Sequence, residues 1–433
     1  MLVGLLFSLF QDIGFNHKET QNLFHKNPSL NFTTTSLESL TTRLLSLRSL
    51  GLLSLCHSIN KQPEILTAEE IGSFLSFIKE YDLEGEIKPQ KLQRLLIMTH
   101  PNYFAGFERK VRLLIDHGVP LDKLAHVLNN VNIAKVFCHR TLNQIERAIL
   151  FLDRFGGAEL IVRRPALLNL DLEGQLKPRI GVLTQLSGGD ENAVGTILRK
   201  LPAILTYTVE HLQNHIELLR SFAGLSDEEI FKIFLVYPNI CSASKERKLH
   251  PRIEFLKQCG FNSSDIFKFL IKAPLYLSLS FEDNLSMKLG ILFKIGYENK
   301  SKELAIALGA VTRTSCENMQ KVTGVFLSYG FCCEDILDMS KRHPQILQYN
   351  HESLDMKIEY LTVDMGRHIG ELLAFPAFLG YKLDDRIKHR YEMKKKIVGD
   401  GMSLNKLLSV STERFMKKKS PAEMENSVGG RKS

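Results

Sequence analysis

The chain repeats one apolar and polar pattern at intervals of about 36 residues. Ahead of a series of prolines, apolar side chains stand eight, five, four and one positions earlier. Ile230, Ile233, Phe234 and Tyr237 precede Pro238, and Ile266, Phe269, Leu270 and Ala273 precede Pro274. Val194, Ile197, Leu198 and Leu201 stand in the same places before Pro202. Such spacing lays all four side chains on one face of a helix. Proline then ends the helix, because the residue before it is pushed out of the α region. The apolar residues that follow, as in Pro202-Ala203-Ile204-Leu205, predict one tight turn of 3₁₀ type. Ser226 with Glu229 reads as a capping box, and Asp190 and Ser263 as N-caps. A second helix runs from near an acidic residue to a glycine, as in Pro178–Leu186, Pro251–Cys259 and Leu354–Met365. Pro178 and Pro251 suit a first helical position, and Gly260 suits a left-handed C-terminal cap.

The rhythm is regular. Pro165, Pro202, Pro238, Pro274, Pro344 and Pro376 are separated by 37, 36, 36, 70 and 32 residues, and Gly309 divides the double step into 35 and 35. Gly188, Gly224, Gly260, Gly296, Gly330 and Gly366 keep the same beat. So do Glu173, Glu210, Glu246, Glu282, Glu317 and Glu352, each eight places after the proline position. Upstream, Pro28, Pro63 and Pro101 start worn copies, and a further unit near Val127–Phe137 lacks its proline. Units of this length cannot bury their own apolar stripe and must stack. The expected fold is therefore an all-α superhelical solenoid of about nine to ten helix-turn-helix repeats of roughly 35 residues. Degenerate repeats are expected over 1–80, the main array over 81–380, and a basic segment with a disordered tail over 381–433.

Composition narrows the function. With 44% hydrophobic and 24% charged residues, the 433-residue chain is that of a folded protein. No stretch approaches the eighteen or so apolar residues a membrane helix needs. The most apolar candidate, Met1–Phe10, lacks the basic lead-in and small-residue cleavage site of a secretory signal. Seven cysteines without a C-x-x-C pair argue for reduced thiols in a reducing compartment, and against a zinc ribbon. Net charge is +8, and Gly380–Ser433 holds fourteen Lys and Arg against seven Asp and Glu. Nearly all of the excess thus sits at one end of a neutral body, which suggests a polyanionic partner.

The joined signature is a proline-ended helix, a turn, a helix ending in Gly-[Phe/Tyr/Leu], then two polar residues, an acid and Ile. It appears in Gly260-Phe261-Asn262-Ser263-Ser264-Asp265-Ile266 and in Gly330-Phe331-Cys332-Cys333-Glu334-Asp335-Ile336. This resembles the mitochondrial transcription termination factor (mTERF) family, in the form of its plant organellar members. The run Phe375-Pro376-Ala377-Phe378-Leu379-Gly380-Tyr381, followed by Arg386-Ile387-Lys388-His389-Arg390-Tyr391, is similar to that family's closing motif. The resemblance covers about Pro101 to Tyr391. It implies a half-ring whose basic concave side binds double-stranded DNA or, in some members, organellar RNA. It also implies work in transcription termination, initiation, processing or splicing, beside the organellar transcription machinery. No cofactor, membrane or small-molecule substrate is implied. The compartment is a chloroplast, with a mitochondrion as the alternative. An import leader rich in Arg and Ser is also implied, whereas the first arginine of this chain is Arg43.

Phosphate binding needs aligned cations, and a repeat can supply one per unit. Arg179, Arg252, Lys288, Lys321 and Lys357 each stand before an aliphatic residue, with His215 in the same slot. They fall early in the second helix, at the unfavourable end of its dipole, which hints at a use. A second set lies by the prolines and the turns after them: Arg163, Arg164, Arg199, Lys200, Lys245, Arg247, Lys248, Lys272, Arg313, Lys341 and Arg342. A third closes the array with Lys382, Arg386, Lys388, Arg390 and Lys394–Lys396, and Lys417–Lys419 lie beyond. The third is the densest and the strongest candidate for phosphate contact. Tyr207, Tyr237, Tyr276 and Tyr349 recur near the turns, where they stack on bases or pack the turn itself. His211 and His215 lie four apart on a helix, without the third ligand a metal site needs. No phosphate loop or nucleophile elbow occurs, so an enzyme is not expected. The rival reading is a HEAT- or armadillo-type scaffold that binds protein. A pentatricopeptide-type RNA reader has a similar period but does not end its units on this proline turn.

Overall fold

The computed structural model describes residues 7–8, 10–26, 34–398 and 402–410. Pro28, the side chain of Lys396 and Lys417–Lys419 lie outside the described residues. Helices and turns make up the described residues, with no strand among them. They cluster into two compact units, Met1–Glu217 and Leu218–Ser433.

Within each unit the repeating element is a triangle of a long helix, a short helix and a 3₁₀ turn. In the first unit one triangle is a long helix made of Leu172–Leu176 running on into Lys177–Leu186, then Glu191–Lys200 and Pro202–Thr206. In the second, Lys245–Leu249 running on into His250–Gln258, then Ser263–Lys272 and Pro274–Leu277, form another. The expected 3₁₀ turns follow Pro165, Pro202, Pro238, Pro274, Pro344 and Pro376. The Ser226–Glu229 capping box and the Asp190 cap are present. The helix expected to be capped by Ser263 begins one residue sooner, because Asn262 Oδ1 accepts the Asp265 N–H at 2.9 Å. The predicted helix-end glycines all adopt positive φ, among them Gly260 at +79°.

The long helices start earlier than the acidic markers suggest. A polar residue six places after each proline position caps them: Asp171, Thr208, Ser244, Ser280, Ser315 and Asn350. The acids therefore sit in the first turn, where the helix dipole favours them. Three of these helices open on a wide turn, with Leu176, Leu249 and Leu285 donating to Asp171, Ser244 and Ser280 five residues back at 2.9–3.1 Å. In two of them the wide turn leads directly to Pro178 and Pro251, which have no N–H for an ordinary ladder.

Apolar burial follows the short-helix stripe. Ile230, Ile233 and Phe234 are no more than 1% exposed, and Val194, Ile197 and Leu198 are fully buried. One triangle departs from the pattern: helix Lys302–Ala310 runs through Gly309, and its turn shrinks to Val311–Arg313. A side-chain carbon at Gly309 would stand 2.5 and 2.9 Å from two ring carbons of Phe269, too close for any residue but glycine.

In most triangles a buried or half-buried cation closes the turn. The last carbonyls of a 3₁₀ turn have no N–H ahead of them, and a cation from the long helix supplies the donor. Arg179 Nη1 donates to Leu205 O at 2.5 Å, Lys357 Nζ to Leu379 O at 2.8 Å and Lys288 Nζ to Thr312 O at 3.4 Å. Arg252 donates to Tyr276 O at 2.8 Å and also to Leu279 O. Lys110 holds Phe137 O at 2.9 Å, Arg140 holds Leu168 O at 2.7 Å, and Arg43 holds Ala68 O at 2.8 Å. In the triangle that ends at Pro344–Gln348, Asn318 Nδ2 takes the place of the cation, donating to Tyr349 O at 2.8 Å, while Lys321 turns outward to Glu317. The last triangle closes in the same way. Arg390 donates to Leu408 O and Val410 O at 3.2 and 2.7 Å, and Arg386 to Leu408 O at 2.7 Å. Helix Leu404–Leu408 is thereby held down, with Leu404, Leu407 and Leu408 buried.

Arg252→Met keeps the bulk of the side chain but leaves two turn carbonyls without donors, so urea unfolding should show a loss of about 2–4 kcal/mol. Gly309→Ala should cost about 1–3 kcal/mol by forcing Phe269 aside. Gly290→Ala, in a helix with nothing near the added carbon, should instead stabilise by about 0.5–1 kcal/mol.

Candidate nucleic-acid interface

The per-repeat stripe expected to meet phosphates points inward. Arg179, Arg252, Lys288 and Lys357 are 7%, 5%, 0% and 9% exposed, and each donates to a turn carbonyl as described above. Burial lowers the pKa of all four, with desolvation the leading cause. His215 is buried as well, its Nδ1 2.9 Å from His211 O. These groups cannot reach a polyphosphate without unfolding their triangle. The dipole argument also falls away, because the helices begin at their polar caps and the cations stand some two turns inside. Apolar neighbours mark their true facing. Leu176 and Leu183 flank Arg179 at three before and four after, as Leu249 and Leu256 flank Arg252, and all four leucines are buried.

The closing cluster divides. Arg390 is 2% exposed and Arg386 is half-buried over the Tyr381 ring, both engaged with carbonyls of 407–410. Lys382 and Lys388 remain at the surface, paired with Asp385 at 3.1 Å and Asp384 at 2.8 Å. The tyrosines also serve packing: Tyr276 is buried with its hydroxyl donating to Arg252 O, and Tyr237 donates to Ser278 Oγ at 2.7 Å. No cluster of three metal-ligating side chains occurs among the described residues.

Residues beside the proline turns fare differently. Arg163 donates to Arg199 O, His126 Nε2 lies 3.1 Å from Val162 O, and Arg342 donates to Leu373 O at 2.7 Å. These contacts tie the end of one short helix to the end of the next. Arg199 is half-buried, with Nη2 donating to Thr196 Oγ1 at 3.1 Å. Arg164, Arg247, Lys272, Arg313 and Lys341 are exposed. Arg164, Lys272 and Lys341 stand at helix C-termini, where cations are favoured, and Lys272 and Arg313 line an open groove.

Each unit carries a basic groove on the short-helix side. In the first unit a cavity of about 500 Å³ is lined by Lys91, Arg94, Lys135 and His139, with no carboxylate. Burial, aided by Lys88, lowers the pKa of Lys91, whose ammonium donates to Asn129 O at 2.9 Å and to Val131 O. In the second unit a cavity of about 480 Å³ is lined by Lys268, Lys272, Lys302 and Arg313 around a single carboxylate, Asp265. Lys302 pairs with that carboxylate at 3.0 Å, which holds Asp265 below the usual carboxylate range. Lys91, Arg94, Lys135, His139, Lys268 and Lys302 carry no repeat-wide signature and escape a search for periodic cations. Their signal is local: a cation on the polar face of a short helix, or in the turn that faces it.

Comparison with known proteins agrees with this architecture. The mTERF family model matches residues 7–295 and, in a second overlapping stretch, 245–416. Transcription termination factor MTERF8, chloroplastic, of Arabidopsis thaliana is 55% identical over 421 residues, 97% of this chain and 83% of that protein. The mitochondrial factor MTERF15 of the same plant is 26% identical over 230 residues, about half of each chain. The chloroplastic factor MTERF4 of Oryza sativa subsp. japonica is 35% identical over 111 residues, 26% of this chain and 20% of its own. With a family model that spans nearly its whole length and a relative alike from end to end, the chain belongs to the mTERF family.

Proposed function

We propose that this protein is a nucleic-acid-binding regulator of chloroplast gene expression, acting in transcription termination as its relatives' names state of them. The plastid expectation agrees with the chloroplastic relative that covers 97% of the chain. The observation that carries the binding reading is the pair of grooves lined by four basic side chains each, with one carboxylate between them. The long helices commit Arg179, Arg252, Lys288 and Lys357 to the interior, so in this reading phosphate contact falls chiefly to the short-helix side. Affinity comes chiefly from release of counterions as Lys and Arg neutralise phosphates. Double-stranded DNA is the preferred partner in this reading, with organellar RNA as the alternative. The protein works by binding and not by catalysis. A protein-binding scaffold remains the rival reading.

Fluorescence anisotropy with duplex DNA and with single-stranded RNA, each over a salt series, tests this. Replacing Lys268, Lys272 and Arg313 together with alanine should reduce the slope of log K against log salt on duplex DNA by roughly 2 to 3, at about 0.9 per lost phosphate contact. Affinity near physiological salt should fall at least about tenfold. Arg252→Met, measured where it is folded, should leave the slope unchanged. An unaltered slope in the triple variant would remove the second-unit groove from the interface.

A further inference from the structure

The second-unit groove has a feature that phosphate binding alone does not require. Phe269, Ala273 and Ile306 line the same cavity as its cations; Ile306 is 48% exposed, while Phe269 and Ala273 reach it from the core at 8% and 5%. Gln345 and Gln348 add side-chain amides at the rim. The cavity borders the one triangle in the main series where Gly309 replaces proline and the turn shortens to three residues. At about 480 Å³ it falls within the range of small-ligand sites, about 300–1,000 Å³. The first-unit groove is as basic, but Lys91 is already engaged there and no phenylalanine lines it.

We propose that this cavity binds a free nucleoside polyphosphate. The base lies against Ile306 and the exposed edge of Phe269, beside Gln345 and Gln348, and the phosphates meet Lys272, Arg313 and Lys268. Three observations carry the assignment together. Four cations against one carboxylate leave a site charge of three to neutralise, which suits a chain of phosphates better than a single carboxylate ligand. The apolar patch beside them suits a flat ring. Amides at the rim can both donate to and accept from the edge of a base. This inference rests on the nucleic-acid reading above, since it places a small ligand on the same cations. A nucleotide in the cavity and a phosphate backbone along the groove then compete, which makes nucleotide supply a regulator of binding.

The test is calorimetric titration of the full chain with ATP and with GTP, beside tripolyphosphate and adenosine, with DNA and RNA binding measured on the same preparation. The expected result is saturable nucleotide binding, with tripolyphosphate and adenosine each at least tenfold weaker. Lys272→Ala with Arg313→Ala should weaken it at least tenfold. Ile306→Glu, which sets a carboxylate at a half-exposed position, should weaken it as much while circular dichroism and thermal unfolding stay unchanged. Added nucleotide should also shift nucleic-acid binding curves to higher protein concentration. Tripolyphosphate binding as tightly as ATP would overturn the proposal, because the apolar patch would then contribute nothing. So would nucleotide binding undiminished in Ile306→Glu. A protein that binds nucleic acid but neither nucleotide refutes this inference and leaves the proposed function standing. One that binds nucleotide but no nucleic acid supports the site and refutes the function, and one that binds neither refutes both.

Discussion

A positive charge placed inside most of the repeats, against the spent end of a tight turn, is the contact on which the architecture depends. Proline stops the short helix abruptly, and the turn after it ends with carbonyls that no backbone N–H can reach. Leaving such groups buried and unpaired costs about 1–3 kcal/mol each. A long flexible cation from the neighbouring helix satisfies them and joins the two far ends of the triangle in one step. Charged hydrogen bonds of this kind are stronger than neutral ones, which offsets part of the desolvation that lowers the pKa of Arg252 and Lys288. The proline, the turn and the cation form a single device.

That device explains which parts of the molecule could be read in advance. Prolines, helix-end glycines and the four-residue apolar stripe each report a local constraint, and the helices and turns around Pro202, Pro238 and Pro274 came out as expected. The regular cations were misassigned because a stripe looks alike whether it faces solvent or core. What separates the two is the company a residue keeps: Arg179 stands between Leu176 and Leu183, in register with the buried side. A second signal lay in the polar residue six places after each proline, which fixes the true start of the long helix and so the depth of the cation within it.

The grooves were harder to foresee. Lys268 and Lys302 occur once each, in triangles whose turns differ in length, and their approach depends on how one short helix lies against the next. Arg386 and Arg390 show the converse: a dense basic run that looks like a binding surface is half engaged with the segment that follows it. Charge density along a sequence reports how many cations there are, and packing decides which remain available.

The seal over residues 402–410 has a further consequence. Stacked repeats join like surface to like surface, so without 402–410 the last triangle would leave the Arg386 and Arg390 guanidinium groups without their carbonyl acceptors and an apolar step uncovered. Leu404, Leu407 and Leu408 cover that step while the carbonyls of 408 and 410 engage Arg386 and Arg390, so the same contacts that stack one repeat on the next are spent on a short terminal helix.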